Sequence, residues 1–155
     1  MGSMIAIADD DVLYLLEFTD YRGLEREIER CKKKTKSVIA LGRSYPIELI
    51  ESELSQFFNG QLKKFETPLF FSGTPFQNSV WEELKNIPYG ETRSYAEIAE
   101  KIGKPTAYRA VAQANGANQL AIIVPCHRVI NTGGALGGYA GGVARKEWLL
   151  NHELR

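Results

Sequence analysis

The chain is poor in cysteine and histidine, and it has no long apolar run. Two of each occur in its 155 residues, and no CxxC pair is present. This composition excludes a disulfide scaffold and offers no metal site of the usual zinc-binding pattern. No apolar stretch reaches the roughly 18 residues of a membrane span, and residues 1–10 lack the pattern of a secretory signal. We therefore expect no membrane association and a cytoplasmic protein with reduced thiols.

The chain also lacks an excess of charge of either sign. It carries 19 basic and 19 acidic residues, whereas a dedicated nucleic-acid binder is usually strongly basic. The balance is uneven, because residues 1–69 carry 10 basic and 12 acidic side chains and residues 70–155 carry 9 and 7. A local basic face in the second half is therefore compatible with the neutral total. An apolar content of 44% is ordinary for a globular protein of one domain or two small lobes.

The first part of the chain has the pattern of a small α+β lobe, which we delimit as residues 1–66. Two apolar runs flank three aspartates, which indicates a β-hairpin, and the polar stretch that follows has the apolar spacing of an amphipathic helix. The predicted elements are strands over Met4–Ala8 and Val12–Phe18, a helix over residues 21–36, a short strand over Val38–Ala40 and a helix over Pro46–Asn59. No catalytic constellation stands out in this lobe.

Residues 67–155 are predicted to form a second, mostly helical domain with the pattern of a helix-turn-helix. Ser94 begins a capping box, Gly103 ends that helix, and Thr106 is a candidate cap for a second helix that runs to about residue 115. The second helix is rich in small residues and carries Arg109. Two interpretations stay open at this point: contact with DNA, or an alanine-rich helix packed inside a bundle.

The motif Pro125-Cys-His-Arg128 is the strongest chemical signal of the chain. It follows the apolar run Leu120–Val124, which we predict to be a buried strand, and it precedes a glycine-rich stretch. A cysteine in this position is either a small buried hydrophobe or a nucleophile. Neighbouring side chains of an extended strand point to opposite faces, so contact between Cys126 and His127 would require a bend or a bridging water.

A carboxylate near the end of the chain adds a third group to the cysteine and the histidine. Glu153 ends a final helix predicted over Val143–His152, and cysteine, histidine and carboxylate are the parts of an activated nucleophile.

The chain closely resembles the methylated-DNA–protein-cysteine methyltransferase family, the O6-alkylguanine-DNA alkyltransferases. The matching motifs are Pro125–Ile130, Gly137–Gly142, Lys146–Glu153, Gly73–Gln77, Ile87–Glu91, Ser94–Tyr95 and Arg109–Val111, so the close resemblance covers roughly residues 70–155.

The resemblance implies a fold and a partner. The fold is an RNase H-like α/β lobe, whose first strand we expect to be shortened here, followed by a winged-helix-like domain that contains the helix-turn-helix. The partner is double-stranded DNA with an alkylated base, with no obligatory protein partner and no cofactor. Some family members bind zinc through amino-terminal cysteines and histidines, and the single Cys31 in the first half implies that this metal site is absent.

The resemblance also implies a single-turnover DNA repair reaction. The lesion is O6-alkylguanine, with O4-alkylthymine as a second candidate; it is flipped out of the duplex, and the Cys126 thiolate takes its alkyl group irreversibly. His127 would receive the thiol proton through a water, and Glu153 would orient this histidine. Tyr95 would donate to N3 of the leaving guanine. Asn118 would brace the turn before the active site.

Contact with DNA is implied for the second helix of the helix-turn-helix, with Arg109 filling the space that the flipped base leaves. The implied DNA contacts are Thr106, Ala107, Tyr108, Arg109 and Gln113, and the implied base pocket is formed by Val129, Tyr139, Ala140 and Lys146. Two departures from the family pattern stand out. Ala117-Asn118-Gln119 replaces Gly-Asn-Pro, which makes that loop less rigid, and Ala140 replaces a serine, which removes a hydroxyl from the pocket.

Three alternatives compete with alkyl transfer. A non-catalytic lesion-binding relative would keep the fold without the nucleophile, and the presence of Cys126 argues against it. A cysteine hydrolase would use Cys126 and His127 for repeated turnover, and it leaves the helix-turn-helix unexplained. A transcription regulator would bind a DNA sequence without any dependence on Cys126. We therefore predict alkyl transfer.

Overall fold

Six helices and two small two-stranded sheets make up the protein, which a computed structural model describes over residues 1–155. The predicted α+β class is confirmed. The elements in chain order are β1 (Met4–Ala8), β2 (Leu13–Phe18), α1 (Leu24–Thr35), α2 (Tyr45–Phe58), α3 (Pro75–Leu84), β3 (Arg93–Ser94), α4 (Tyr95–Lys101), α5 (Tyr108–Gly116), a 3₁₀ turn (Cys126–Arg128), β4 (Val129–Ile130) and α6 (Val143–Glu153). The chain divides into two units, Met1–Ser72 and Gly73–Arg155, and the predicted boundary at residue 66 lies within the first.

The first unit is built on the predicted β-hairpin. Strands β1 and β2 pair antiparallel with Met4 opposite Phe18. The turn between them is held by Asp9, whose Oδ1 accepts from the backbone N–H groups of Asp11 and Val12, both at 2.8 Å. These bonds and one from the Tyr14 hydroxyl lower the pKa of Asp9. Helix α1 packs against β2 and helix α2 against β1, and the buried apolar side chains of this unit include Leu13, Leu15, Leu16, Phe18, Ile50 and Phe57.

The strand predicted over Val38–Ala40 is wrong. This segment belongs to neither sheet, and Val38 is 93% exposed. Its β-branched composition suits a strand, but composition alone does not form one, and the sheet here consists of β1 and β2 without a third strand bonded to β1. The helix predicted from residue 21 begins instead at Leu24, because Tyr21 bonds back to Phe18 in a turn.

The second unit contains the predicted pair of helices joined by a turn. Ser94 caps α4 through a capping box with Glu97, as predicted, and Gly103 follows with a φ of 73°. The cap predicted at Thr106 is wrong: α5 begins at Tyr108, its N-cap is Ala107, and no side chain caps it. The reason is a backbone turn in which Ala107 N–H donates to Lys104, so that Thr106 lies outside the helix. No helix in the structure combines the length and apolar character that a membrane crossing requires.

The buried strand predicted over Leu120–Val124 is also wrong. The segment is buried, but it forms consecutive turns, and Ile122 adopts a left-handed φ of 72°. Asn118 supplies hydrogen bonds that a neighbouring strand would otherwise make. Its Nδ2 donates to the carbonyl oxygens of Val124 at 2.9 Å and Leu120 at 3.4 Å, and its Oδ1 accepts from Leu120 N–H at 3.0 Å. The apolar run therefore packs as a compact loop that leads into the active-site turn.

A short parallel pairing aligns the two parts of the candidate site. Strand β3 pairs with β4, with Arg93 opposite Val129 and Ser94 opposite Ile130. Because α4 begins directly after β3, and β4 directly follows the 3₁₀ turn, this pairing holds the start of α4 beside the segment that contains the cysteine.

Candidate active site

Cys126 lies at the start of the 3₁₀ turn and is 4% exposed. Its Sγ accepts a hydrogen bond from Asn118 Nδ2 at 3.1 Å, and its carbonyl oxygen accepts one from Asn115 Nδ2 at 3.2 Å. An N–H donor aimed at sulfur stabilises negative charge on it. The surroundings therefore favour a thiolate more than an apolar pocket would.

His127 is completely buried, and its two ring nitrogens have different environments. Nε2 lies 2.7 Å from Glu153 Oε1, whereas Nδ1 has no hydrogen-bond partner. Burial lowers the pKa of His127, and this effect outweighs the opposing hydrogen bond and charge of Glu153. The ring is therefore neutral near pH 7, with its proton on Nε2 facing the carboxylate and a lone pair on Nδ1. This is the protonation state of a general base.

Glu153 is the acceptor on which this part of the site converges. Arg128 donates to Oε2 through Nε and to Oε1 through Nη2, both at 2.9 Å, and Gly90 N–H donates to Oε2 at 3.2 Å. Burial alone would raise the pKa of Glu153, but the hydrogen bonds and charges of His127 and Arg128 lower it to about 2. Gly90 has a φ of 78°, and a Cβ there would lie 3.1 Å from the backbone carbonyl oxygen of Glu153. A larger residue at position 90 would therefore disturb the hydrogen bond from its N–H to Glu153 Oε2.

The 3₁₀ turn explains how neighbouring residues reach one carboxylate. With about three residues per turn, successive side chains point roughly 120° apart, whereas in a strand they alternate. This geometry allows both His127 and Arg128 to form hydrogen bonds with Glu153. The objection to a functional Cys126–His127 pair that we drew from strand geometry does not apply, because the segment is not a strand.

Lys146 ties β4 to the glycine-rich loop, residues 133–142. Its side chain is completely buried, and Nζ donates to the carbonyl oxygens of Val129 at 2.6 Å, Gly138 at 3.3 Å and Leu136. Burial lowers the pKa of Lys146, and the nearby Cys126 opposes this shift. The three carbonyl groups and the cysteine together compensate for a cation that is withdrawn from water.

A cavity of about 520 Å³ opens between α4, α5 and the glycine-rich loop. Residues on its wall include Tyr95, Arg109, Asn115, Asn131, Tyr139 and Ala140. Burial, and then the charge of Cys126, raise the pKa of Tyr95, so its hydroxyl stays a hydrogen-bond donor. A Cβ at Gly137, whose φ is 70°, would lie 3.1 Å from this hydroxyl, so glycine is required where the loop passes the tyrosine.

The structure brings most of the predicted site residues together. Asn118 is hydrogen-bonded to the Cys126 sulfur, His127 is hydrogen-bonded to Glu153, and Tyr95 lies on the wall of the cavity. Of the residues predicted for a base pocket, Tyr139 and Ala140 line the cavity, whereas Val129 and Lys146 are buried outside its lining. Of the predicted DNA contacts, Ala107 is half-buried, and the exposed ones are Thr106, Tyr108, Arg109 and Gln113.

Sequence reasoning missed two members of this constellation. Arg128 was noted only as part of the motif, although it makes the bidentate contact with Glu153. Its place beside His127 was the available signal. Asn115 was taken only as the end of a helix, and nothing in its spacing indicates that it bonds to the Cys126 carbonyl oxygen.

The family model described as "6-O-methylguanine DNA methyltransferase, DNA binding domain" matches residues 75–155, which include every residue of this constellation. The chain belongs to the O6-methylguanine-DNA methyltransferase family. The resemblance that we drew from the motifs is confirmed.

Relatives in the family match the chain to different extents. A methylated-DNA–protein-cysteine methyltransferase of Methanosarcina acetivorans is 57% identical over 101 residues, which are 65% of this chain and 65% of that protein. The match therefore spans less than two thirds of the archaeal relative. One from Salmonella typhimurium is 39% identical over 99% of this chain and 90% of its own length. The crystal structure of Mycobacterium tuberculosis OGT in complex with DNA has a TM-score of 0.84 and 40% identity, over 99% of this chain and 90% of that one.

Proposed function

We propose that this protein repairs alkylated DNA directly, by moving the alkyl group of O6-alkylguanine irreversibly onto Cys126. The observation that carries the proposal is the hydrogen-bonded set Asn118–Cys126 and His127–Glu153–Arg128 beside a cavity. Family membership supports it, and so does the Mycobacterium tuberculosis relative that was solved with DNA. O4-alkylthymine is a second candidate lesion.

The thiol is activated by the buried histidine. In our proposal His127 Nδ1, which has no protein partner, takes the thiol proton through a water molecule, while Nε2–H stays on Glu153. Arg128 keeps Glu153 ionised, so the imidazolium that forms is stabilised by a carboxylate. Asn118 donates to sulfur and so supports the thiolate. Glu153, Arg128 and Asn118 are positioning residues in this scheme.

The displacement forms one bond and breaks one bond. The Cys126 sulfur bonds to the alkyl carbon, and the bond from that carbon to O6 breaks, with its electron pair leaving on the guanine. Tyr95 donates a hydrogen bond to N3 of the leaving base, which disperses the developing negative charge. The thioether has no easy route back to a thiol. One protein molecule therefore carries out one reaction and needs no cofactor.

DNA would be held by the helix-turn-helix of α4 and α5. Arg109 is exposed at the start of α5 and also lines the cavity, so it can replace a base that has left the stack for the pocket. Tyr108 is 46% exposed beside it, with the Arg109 guanidinium carbon 5.9 Å from its ring centroid. Thr106, Ala107 and Gln113 would contact the backbone and groove.

The two halves of the chain have separate roles in this proposal. Residues 1–66 would form an RNase H-like lobe, on the support of the hairpin and its two packed helices. Residues 67–155 would form the winged-helix-like DNA-binding and alkyl-acceptor domain. The base pocket would be lined by Tyr139 and Ala140 on the glycine-rich loop. The buried Val129 and Lys146 would shape it indirectly, because Lys146 anchors this loop to the Val129 carbonyl oxygen. A DNA substrate fits a cytoplasmic location.

The test is the chemical state of Cys126 after incubation with a duplex that contains O6-methylguanine. We expect the Cys126 peptide to gain one CH₂ in mass spectrometry, with one methyl per protein molecule. Cys31→Ser should behave as the wild type, because burial raises the pKa of the Cys31 thiol, whereas Cys126→Ser should accept nothing. An unmodified Cys126 in folded, reduced protein would refute the proposal. Repeated turnover would instead support a cysteine hydrolase, and lesion binding without transfer a non-catalytic relative.

A further inference from the structure

Asn115 has a hydrogen-bonding group that the proposed reaction does not use. The residue is 4% exposed in the last turn of α5. Its amide nitrogen donates to the Cys126 carbonyl oxygen, whereas its amide oxygen Oδ1 is buried and has no hydrogen-bond partner. A buried acceptor without a donor costs free energy, and native proteins keep few of them. The position therefore needs an explanation beyond packing.

The same side chain connects the nucleophile to the cavity. Asn115 lines the cavity together with Tyr95, Arg109 and the glycine-rich loop. Its orientation is set, because Nδ2 is engaged by Cys126 and because Trp81 Nε1 holds the adjoining Ala114 carbonyl oxygen at 2.8 Å. Oδ1 is thus the end of the amide that no group of the protein engages.

The candidate lesions differ in whether they offer such a donor. Once O6 of guanine is alkylated, N1 carries no hydrogen, and the exocyclic 2-amino group is the only N–H donor on the edge of the base. O4-alkylthymine has no N–H donor at all, because alkylation at O4 removes the hydrogen from N3. An acceptor in the pocket can therefore distinguish the two lesions.

We propose that Asn115 is a specificity-determining residue, whose Oδ1 accepts a hydrogen bond from the 2-amino group of the flipped alkylguanine. The inference rests on the alkyl transfer proposed above. The same side chain links the amine to the nucleophile, because Asn115 Nδ2 donates a hydrogen bond to the Cys126 carbonyl oxygen. O4-alkylthymine leaves Oδ1 unpaired, so it reacts more slowly.

The test compares two duplexes that differ in one amino group, carrying O6-methylguanine or O6-methylhypoxanthine. The readout is the ratio of the two rate constants for transfer to Cys126. We expect the wild type to favour methylguanine by about threefold to tenfold, as for one hydrogen bond. Asn115→Leu, which removes both ends of the amide, should bring the ratio close to one. Asn115→Asp keeps an acceptor and loses Nδ2, so it should retain the ratio even where both rates fall.

A matched control is Asn151→Leu, which removes an exposed amide on α6 and should leave the ratio unchanged. Equal wild-type rates on the two duplexes would overturn the inference, and so would an unchanged ratio in Asn115→Leu or a lost ratio in Asn115→Asp. The wild-type and Asn115→Asp measurements decide the matter if Asn115→Leu does not fold. Absence of transfer from either base by the wild type would instead refute the proposed function.

Discussion

Glu153→Gln should destabilise the second unit strongly, although the two side chains have almost the same shape. The Glu153 side chain has no exposed surface, and each of its oxygens accepts two hydrogen bonds. Glutamine would place an amide NH₂ at one of the two oxygen positions, where it would face two donors. Arg128, whose side chain is 7% exposed, would also lose its counter-charge.

The expected size follows from these contacts. Removing one partner of a buried ion pair costs about 3–5 kcal/mol. In a chain of this length, 1 kcal/mol lowers the Tm by roughly 2–4 °C, so Glu153→Gln should lower it by roughly 6–20 °C at pH 7. Thermal unfolding followed by far-ultraviolet circular dichroism measures this shift.

The acid dependence gives a second reading of the same contacts. The pKa of Glu153 is about 2 in the folded chain against 4.5 for an unperturbed glutamate, so the stability that its ionised form contributes is complete above pH 4.5 and is lost as the pH falls towards 2. Two and a half pKa units correspond to about 3 kcal/mol. The pKa of His127 is also lowered, from 6.5, so its protonation favours unfolding as the pH falls. Because glutamine lacks the carboxyl group that titrates between pH 4.5 and 2, Glu153→Gln should lose stability less steeply than the wild type in this range.

The matched control is Glu147→Gln, an exposed carboxylate on the same helix. We expect its Tm to stay within about 2 °C of the wild type, as is usual for surface substitutions. If Glu153→Gln also stays within that range and keeps the acid profile of the wild type, then the convergence of His127 and Arg128 on this carboxylate does not stabilise the fold as we argue.

Two further predictions concern the cavity and its loop. Arg109→Ala should slow transfer from duplex DNA far more than transfer from the free modified base, because the arginine acts on the DNA stack; equal losses in stopped-time alkylation assays would argue against that role. Lys146→Met should leave three backbone carbonyl groups without their donor and lower the free energy of unfolding in urea by at least about 2 kcal/mol, with faster proteolysis of residues 133–142. Exposed Lys101→Met is its control, and similar behaviour of the two variants would contradict the anchoring role.

Local features of the chain could be predicted where a few neighbouring residues decide the structure. The hairpin between β1 and β2 follows from two apolar runs around the aspartates, and the start of α4 follows from the Ser94–Glu97 capping box. Both depend on hydrogen bonds that close within a few residues. The motif around Cys126 was sufficient to indicate the family, because residue identities there reflect the chemistry and not the local fold.

Three other features could not be predicted, because they depend on which hydrogen-bonding groups the folded chain brings together. The apolar run before Cys126 suits a buried strand, but Asn118 binds its carbonyl groups and folds it into turns, and the cysteine and histidine then lie in a 3₁₀ turn. Val38–Ala40 suits a strand as well, yet neither sheet includes it.

The convergence of His127 and Arg128 on Glu153 spans about 25 residues of sequence, and the contact of Asn115 with the Cys126 carbonyl oxygen joins a helix end to a loop. The sequence therefore indicates which chemical groups the site contains: a thiol, an imidazole, a carboxylate and a phenol. Which nitrogen of His127 stays available, which charges surround Glu153 and which amide oxygen remains for the base depend on packing between elements. Hydrogen bonds and burial fix those properties, and neither exists until the chain has folded.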